Sequence, residues 1–345
     1  MRWIIVVLLV FSLSLPAQAL EITAPTVPDA GKAYMPENTE DFSAGFQQIL
    51  IKAISMIRPD IREAARVCLG LLASVLLVSI LQGWSEKGKL IGKLAGTAAI
   101  GSALLLTVNS MITLGKDTVQ QMCEYGKLLI PVMAGALAAQ GGGATSAALY
   151  SGTAAMIALI SALVSRCLLP MVYLFLGLAA ANSATGEDLL KRLKDLIHWC
   201  VSWSLKTVLT LFTGYMGLTG VISGTADAAA VKAAKAAISA AVPVVGGVLS
   251  GATETVLVSA GLMKNAAGIY GILAVLAIAV EPFARIGVQY LMLKVTASFS
   301  GIFGCREMTG LVGDFCDAMG LILAMTGSVC LLMLISTVCF LKGVG

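Results

Sequence analysis

Charge and histidine are scarce in this sequence. Lysine, arginine, aspartate and glutamate make up 12% of its 345 residues, about half of the roughly 25% usual in a soluble domain. The single histidine, His198, stands at the head of an apolar run beside Trp199. It reads as an interfacial residue, and no Ser-His-Asp set can be assembled around it. No stretch carries GxxxxGK[ST], so the glycines form no recognisable nucleotide-binding loop. The eight cysteines (Cys68, Cys123, Cys167, Cys200, Cys305, Cys316, Cys330 and Cys339) include no CxxC and no zinc-like spacing. Most lie in apolar runs, where cysteine acts as a small hydrophobe. A net charge of +4 without a basic cluster interleaved with aromatics gives no footprint for nucleic acid. The chain is therefore expected not to be an enzyme, and to carry no catalytic residues, metal or cofactor.

What is abundant is oil. Hydrophobic residues reach 58% and the mean hydropathy is +0.92. Twenty-three basic and nineteen acidic side chains are too few to coat a soluble globule of this length. A lipid-facing exterior needs no such coat. The expected fold is an all-α, polytopic helical membrane protein with about seven or eight transmembrane helices plus re-entrant or Pro/Gly-broken segments.

Three regions follow one another. Met1-Arg2, the apolar run Trp3 to Leu15 and the A-x-A sequence ending at Ala19 form a secretory signal peptide over residues 1–19, cleaved after Ala19. Residues 20–62 make an exported linker and an amphipathic helix. The linker holds Pro25, Pro28 and Pro36 and is expected to be extended and poorly ordered. The helix repeats Phe42, Phe46, Ile49, Ala53 and Ile57 at helical spacing, capped by Asn38 or Thr39 and ended by Arg58-Pro59. It lies on lipid, on a partner or against the bundle. Residues 63–345 form the polytopic domain.

A helix needs about 20 apolar residues to cross hydrocarbon. Residues 64–83, 94–114, 145–165, 168–182, 197–222, 266–280, 283–304 and 318–341 are the candidate spans. Small residues four apart, as in Gly92/Gly96, Gly220/Gly224 and Gly247/Gly251, suit close helix packing in lipid. The lysines at 87, 89 and 93 place the first loop on the cytoplasmic side. The charged loop 183–196 leaves later orientation open.

Two apolar stretches look interrupted. One runs from Leu128 to Ala139 through Pro131, into Gly141-Gly142-Gly143. The other runs from Val242 to Leu262, with Pro243, Gly246 and Gly247 at its start. Backbone groups freed by Pro and Gly cannot face lipid unpaired, so such segments are expected to be buried, re-entrant or lining a wet cavity. At an offset of 112, Pro131 matches Pro243, Pro170 matches Pro282 and Gly135 matches Gly247. This suggests an internal repeat, about 94–182 and 206–304, and paired broken helices point to a transport site.

Charges at membrane depth are costly and so are functional candidates. Lys206 lies inside its span, Glu254 and Lys264 flank the stretch after Gly246-Gly247, Asn265 follows, and Glu281 precedes Pro282. With Pro243, Gly246 and Gly247 these are the candidate pore or partner positions. The other reading of each charge is a snorkelling or salt-bridged structural residue, and Arg285 near a span end is assigned to that class.

The stretch Val242-Pro243-Val244-Val245-Gly246-Gly247, then Ala252-Thr253-Glu254-Thr255-Val256-Leu257, then Leu262-Met263-Lys264-Asn265 and Gly268 resembles the signature region of the stage III sporulation protein AE family. The motif covers residues 225–270 and the layout residues 60–340. One departure stands out: the family shows two acidic residues in the stretch beginning near Gly251, and here only Glu254 is present. The resemblance implies a polytopic membrane component of an eight-protein assembly, made in the mother cell, that joins a forespore membrane partner to form a channel required for endospore formation. It implies a place in the mother-cell membrane facing the forespore. Expected partners are other stage III sporulation membrane proteins and the lipid bilayer, with room for a homo-oligomer. Alternatives are a stand-alone secondary transporter and a non-conducting membrane scaffold.

Overall fold

The computed structural model describes residues 25–37, 39, 41–84, 86–241, 246–303 and 306–343, and within them the side chains at 81–91, 93, 220–260, 263, 303 and 306 are not described. The expected signal peptide and its cleavage site lie outside the described residues. The elements are α1 (Asp29–Lys32), α2 (Phe42–Trp84), α3 (Glu86–Ala139), α4 (Gly143–Leu163), a π turn (Val164–Leu168), α5 (Leu169–Thr185), α6 (Asp188–Ala241), α7 (Gly246–Ser300), a 3₁₀ turn (Gly301–Phe303) and α8 (Arg306–Lys342). No strand occurs among the described residues, in line with the all-α expectation.

Among the described residues, five helical stretches are long and apolar enough to cross a membrane: Phe42–Ile80, Leu94–Ala139, Gly143–Thr185, Lys264–Ser300 and Glu307–Lys342. The expected seven or eight are not confirmed, and the expected division of 266–280 from 283–304 at Pro282 is absent. Pro59, Pro131 and Pro282 each lie inside a continuous helix. The amphipathic segment therefore does not end at Arg58-Pro59 but runs on into residues 64–83. Residues 128–139 are the last turns of α3 rather than a re-entrant segment. The spans 266–280 and 283–304 are one helix. Spans 145–165 and 168–182 join through the π turn, whose wider coil lets the Leu169 N–H reach the Val164 carbonyl just before Pro170. An interior proline costs about 3 kcal/mol in an isolated helix. Lateral packing along helices this long outweighs that cost.

The centre of the bundle is the C-terminal helix. α8 packs on α7 and α3 most extensively, and also on α5, α6 and α4. More than half of the most apolar window is buried in α7 and α8 (56% each), against 28–33% in the other three stretches. A helix segment that is apolar on all sides belongs inside, and the C-terminal half of α8, from Leu321 to Phe340, carries no charge. The outer helices turn large apolar side chains outward, among them Leu69, Leu106, Leu174 and Leu211. An exterior of that kind suits lipid. The expected span 197–222 runs past the described side chains at residue 220, and α6 is not among the five over its described residues.

Two local expectations are corrected. The described part of the linker is not loose: Val27 and Tyr34 are buried, and α1 lies against α7, where a Cβ at Gly31 would stand 2.9 Å from Ile278. Tyr34, Ile49, Leu273 and Ala277 form a small apolar cluster, so the α2 N-terminal half docks against the bundle. Its cap is Asp41, whose carboxylate accepts the Ser43 N–H at 2.9 Å; the expected Asn38 lies outside the described residues. The expected loop 183–196 is also mostly helix. Only Gly186 and Glu187 separate α5 from α6, and Gly186 closes α5 at φ 77°, a left-handed conformation that suits glycine. At the offset of 112, the α3 terminus at Ala139 falls on residue 251, inside α7, so helix ends do not follow the paired prolines.

Candidate functional site

Three helices each present two polar side chains one turn apart on a single face. They are Asp60 and Glu63 on α2, Thr107 and Ser110 on α3, and Arg285 and Gln289 on α7. Together with apolar neighbours these six line a cavity of about 380 Å³. The three helices pack mutually, with Leu104, Val108, Ile112 and Ile286 buried in the core they share.

Arg285 ties the site together. Its Nε lies 3.5 Å from Asp60 Oδ2 and its Nη2 3.2 Å from Glu281 Oε1. The arginine side chain is 47% exposed and the two carboxylates about a quarter exposed. Ion pairs this open contribute about 0–1 kcal/mol each, so the cluster shapes the cavity more than it stabilises the fold. Tyr34 sits beside it. Burial, then the Glu281 charge, pushes its phenol above the ordinary value, with Asp60 adding and Arg285 opposing. Gln289 is 6% exposed, and its amide nitrogen has no hydrogen-bond partner among the described residues. Leaving a buried donor unpaired costs about 1–3 kcal/mol.

A second polar contact lies deeper. Lys194 of α6 meets Asp314 of α8 at 2.5 Å, with each side chain 11% exposed. It fastens the start of α6 to the central helix. A third closes the other end of the bundle, where Lys264 Nζ donates to the Gly343 carbonyl at 3.0 Å.

Among the residues singled out from sequence, Glu281 joins the cavity cluster. Lys264 is buried against the end of α8, Asn265 is exposed, and Lys206 is exposed on α6 without an ion-pair partner among the described residues. Pro243 lies outside the described residues. Gly246, Gly247 and Glu254 fall in the first turns of α7, with side-chain environments outside the described residues. Asp60, Glu63, Gln289, Lys194 and Asp314 were not singled out. The available signal was polar residues paired at i, i+3 or i, i+4 beside apolar runs; assigning Asp60 to a helix end at Pro59 hid it.

The sequence model of the family described as stage III sporulation protein AE matches residues 32–343. A relative of that name from Bacillus subtilis (strain 168) is 25% identical over 227 residues, which is 65% of this chain and 56% of the relative. The match thus spans little more than half the length of that relative. No solved structure matches.

Proposed function

The chain belongs to the stage III sporulation protein AE family, and from that premise we propose that it is a polytopic membrane component of the channel complex between mother cell and forespore. The observation that carries the reading is the coincidence of two facts. The family match runs over nearly the whole chain, and the described part of the matched region contains five helical stretches suited to span lipid. On this reading it resides in the mother-cell membrane facing the forespore. It works with other stage III sporulation membrane proteins and a forespore membrane partner. It catalyses no reaction and needs no cofactor; its task is to build or line a passage. The test is deletion of the gene in the producing organism, with a reporter of late forespore transcription followed after engulfment. Loss of that transcription, restored by the intact gene, is the expected result. Normal transcription with normal spore yield would overturn the assignment.

The cavity supports a second reading, a stand-alone secondary transporter, since polar groups midway along apolar helices suit solute passage. Purified protein in liposomes separates the two readings. Substrate-coupled flux without any partner favours the transporter, and flux only when partner proteins are present favours the complex.

A further inference from the structure

One outward face of α2 changes character along its length. Arg58, Arg62 and Arg66 stand at i, i+4 and i+8, which puts them in a row on one side of the helix. All three are exposed, and none has an ion-pair partner among the described residues. The acids of the same segment face elsewhere: Asp60 and Glu63 line the α2–α3–α7 cavity, and Asp60 is engaged by Arg285. Beyond Arg66 the arginine face continues with Leu69, Leu76 and Ile80, all exposed. Residues 67–85 carry no charge. They measure roughly 28 Å as helix, against a hydrocarbon core of about 30 Å. Other helices carry cations near the same level. The Tyr173 hydroxyl meets Asn109 Oδ1 at 2.9 Å, and α3 runs antiparallel to the helix that carries Tyr173. Lys116 (beside Asp117) and Arg166 are each two turns from that contact in the same direction, and both are exposed.

We propose that the Arg58–Arg62–Arg66 row binds the phosphates of anionic phospholipids, and so fixes the level at which the bundle leaves hydrocarbon. The guanidinium group suits that ligand. It is always charged, and its planar fork gives two parallel N–H donors to two phosphate oxygens. The row covers about 12 Å of helix, and long side chains lean toward a headgroup layer while their stems lie along the helix. Continuity selects lipid over an acidic protein partner. The face that carries the arginines is the face that carries Leu69, Leu76 and Ile80, so whatever covers one adjoins whatever covers the other. An uncharged stretch of hydrocarbon length begins where the arginines stop. A bundle with helices of roughly 80 Å must cross from lipid to water somewhere along its length, and this row marks one such level. The inference rests on α2 as a membrane-spanning helix and depends neither on the sporulation assignment nor on the cavity.

The test uses the full chain in two arms. In the first, the protein is released from nanodiscs of phosphatidylcholine and phosphatidylglycerol at 3:1, and retained lipid is counted by native mass spectrometry. The intact protein should retain phosphatidylglycerol in preference to phosphatidylcholine. The triple variant Arg58→Gln, Arg62→Gln, Arg66→Gln should lose that preference by about tenfold or more. Its melting temperature in detergent should not change, because the three side chains are exposed and unpaired. The second arm needs no arginine variant. Spin labels are placed on the same face at Ser55→Cys and Leu69→Cys, with the eight native cysteines replaced. Their collisions with oxygen, which concentrates in hydrocarbon, and with a water-soluble nickel chelate are compared in the same nanodiscs. The label at 69 should favour oxygen and the label at 55 the nickel chelate. A lack of preference for phosphatidylglycerol, or a preference that the triple variant keeps, would overturn the proposal. So would labels that both favour oxygen, labels that both favour nickel, or labels shielded from both by a covering protein.

Discussion

Lys194 and Asp314 show how one contact can matter more than several. Both side chains are nearly out of solvent, so removing one partner strands a charge in a medium that cannot solvate it. Lys194→Met should cost about 3–5 kcal/mol, read as a fall in melting temperature in detergent. Adding Asp314→Leu should recover most of the loss, because an apolar pair of similar volume has no desolvation penalty. Arg285→Ala should cost no more than about 2 kcal/mol by the same measurement, since both its ion pairs are open to solvent. Neither the buried pair nor the cavity could be read directly from sequence. Glu281 drew notice because it adjoins Pro282 in an apolar run. Asp60 and Asp314 stand beside other charges and look like ordinary helix-end residues until packing brings Arg285 and Lys194 to them.

At the scale of elements, proline misled. Pro131 removes one N–H and crowds the carbonyl four residues back, which in a lone helix would end it. Here the flanking residues Leu129, Ile130 and Met133 are buried in the bundle, and their packing carries α3 through. Pro131→Ala should therefore leave the fold intact and raise stability by up to about 3 kcal/mol, measured by thermal unfolding; a re-entrant break there would make the same change disruptive. Of the paired glycines, Gly96 lies at a helix contact, while Gly220, Gly224, Gly247 and Gly251 have side-chain environments outside the described residues. A Cβ at Gly96 would stand 2.7 Å from Val78 across the α2–α3 contact, and one at Gly152 would strike the Tyr215 ring across α4–α6. Tyr215 is held by donation of its hydroxyl to the Ala148 carbonyl at 2.9 Å, so it cannot swing away without losing that bond. Gly152→Val should cost about 1–3 kcal/mol through overpacking, seen as a lower melting temperature. The helical class and the apolar runs were legible because composition and period are local. Helix continuity was not, because it depends on lateral contacts.

The whole molecule is a bundle whose helices exceed the bilayer. At about 1.5 Å per residue, α3, α6 and α7 are each roughly 80 Å long, against a hydrocarbon core of about 30 Å. The account stands on those helices being continuous, because the cavity exists only if α2 and α7 run unbroken past Pro59 and Pro282. Leu262 and Leu291 lie on either side of Pro282 in α7 and are both well exposed, at 68% and 61%. Spin labels at these two positions, in a background with the eight cysteines replaced, report their separation by pulsed electron–electron double resonance in detergent or nanodiscs. An unbroken α7 gives a single distribution near about 44 Å. A distribution centred well below about 30 Å would mean that the chain folds back at Pro282, and would contradict both the long-helix bundle and the cavity built on it.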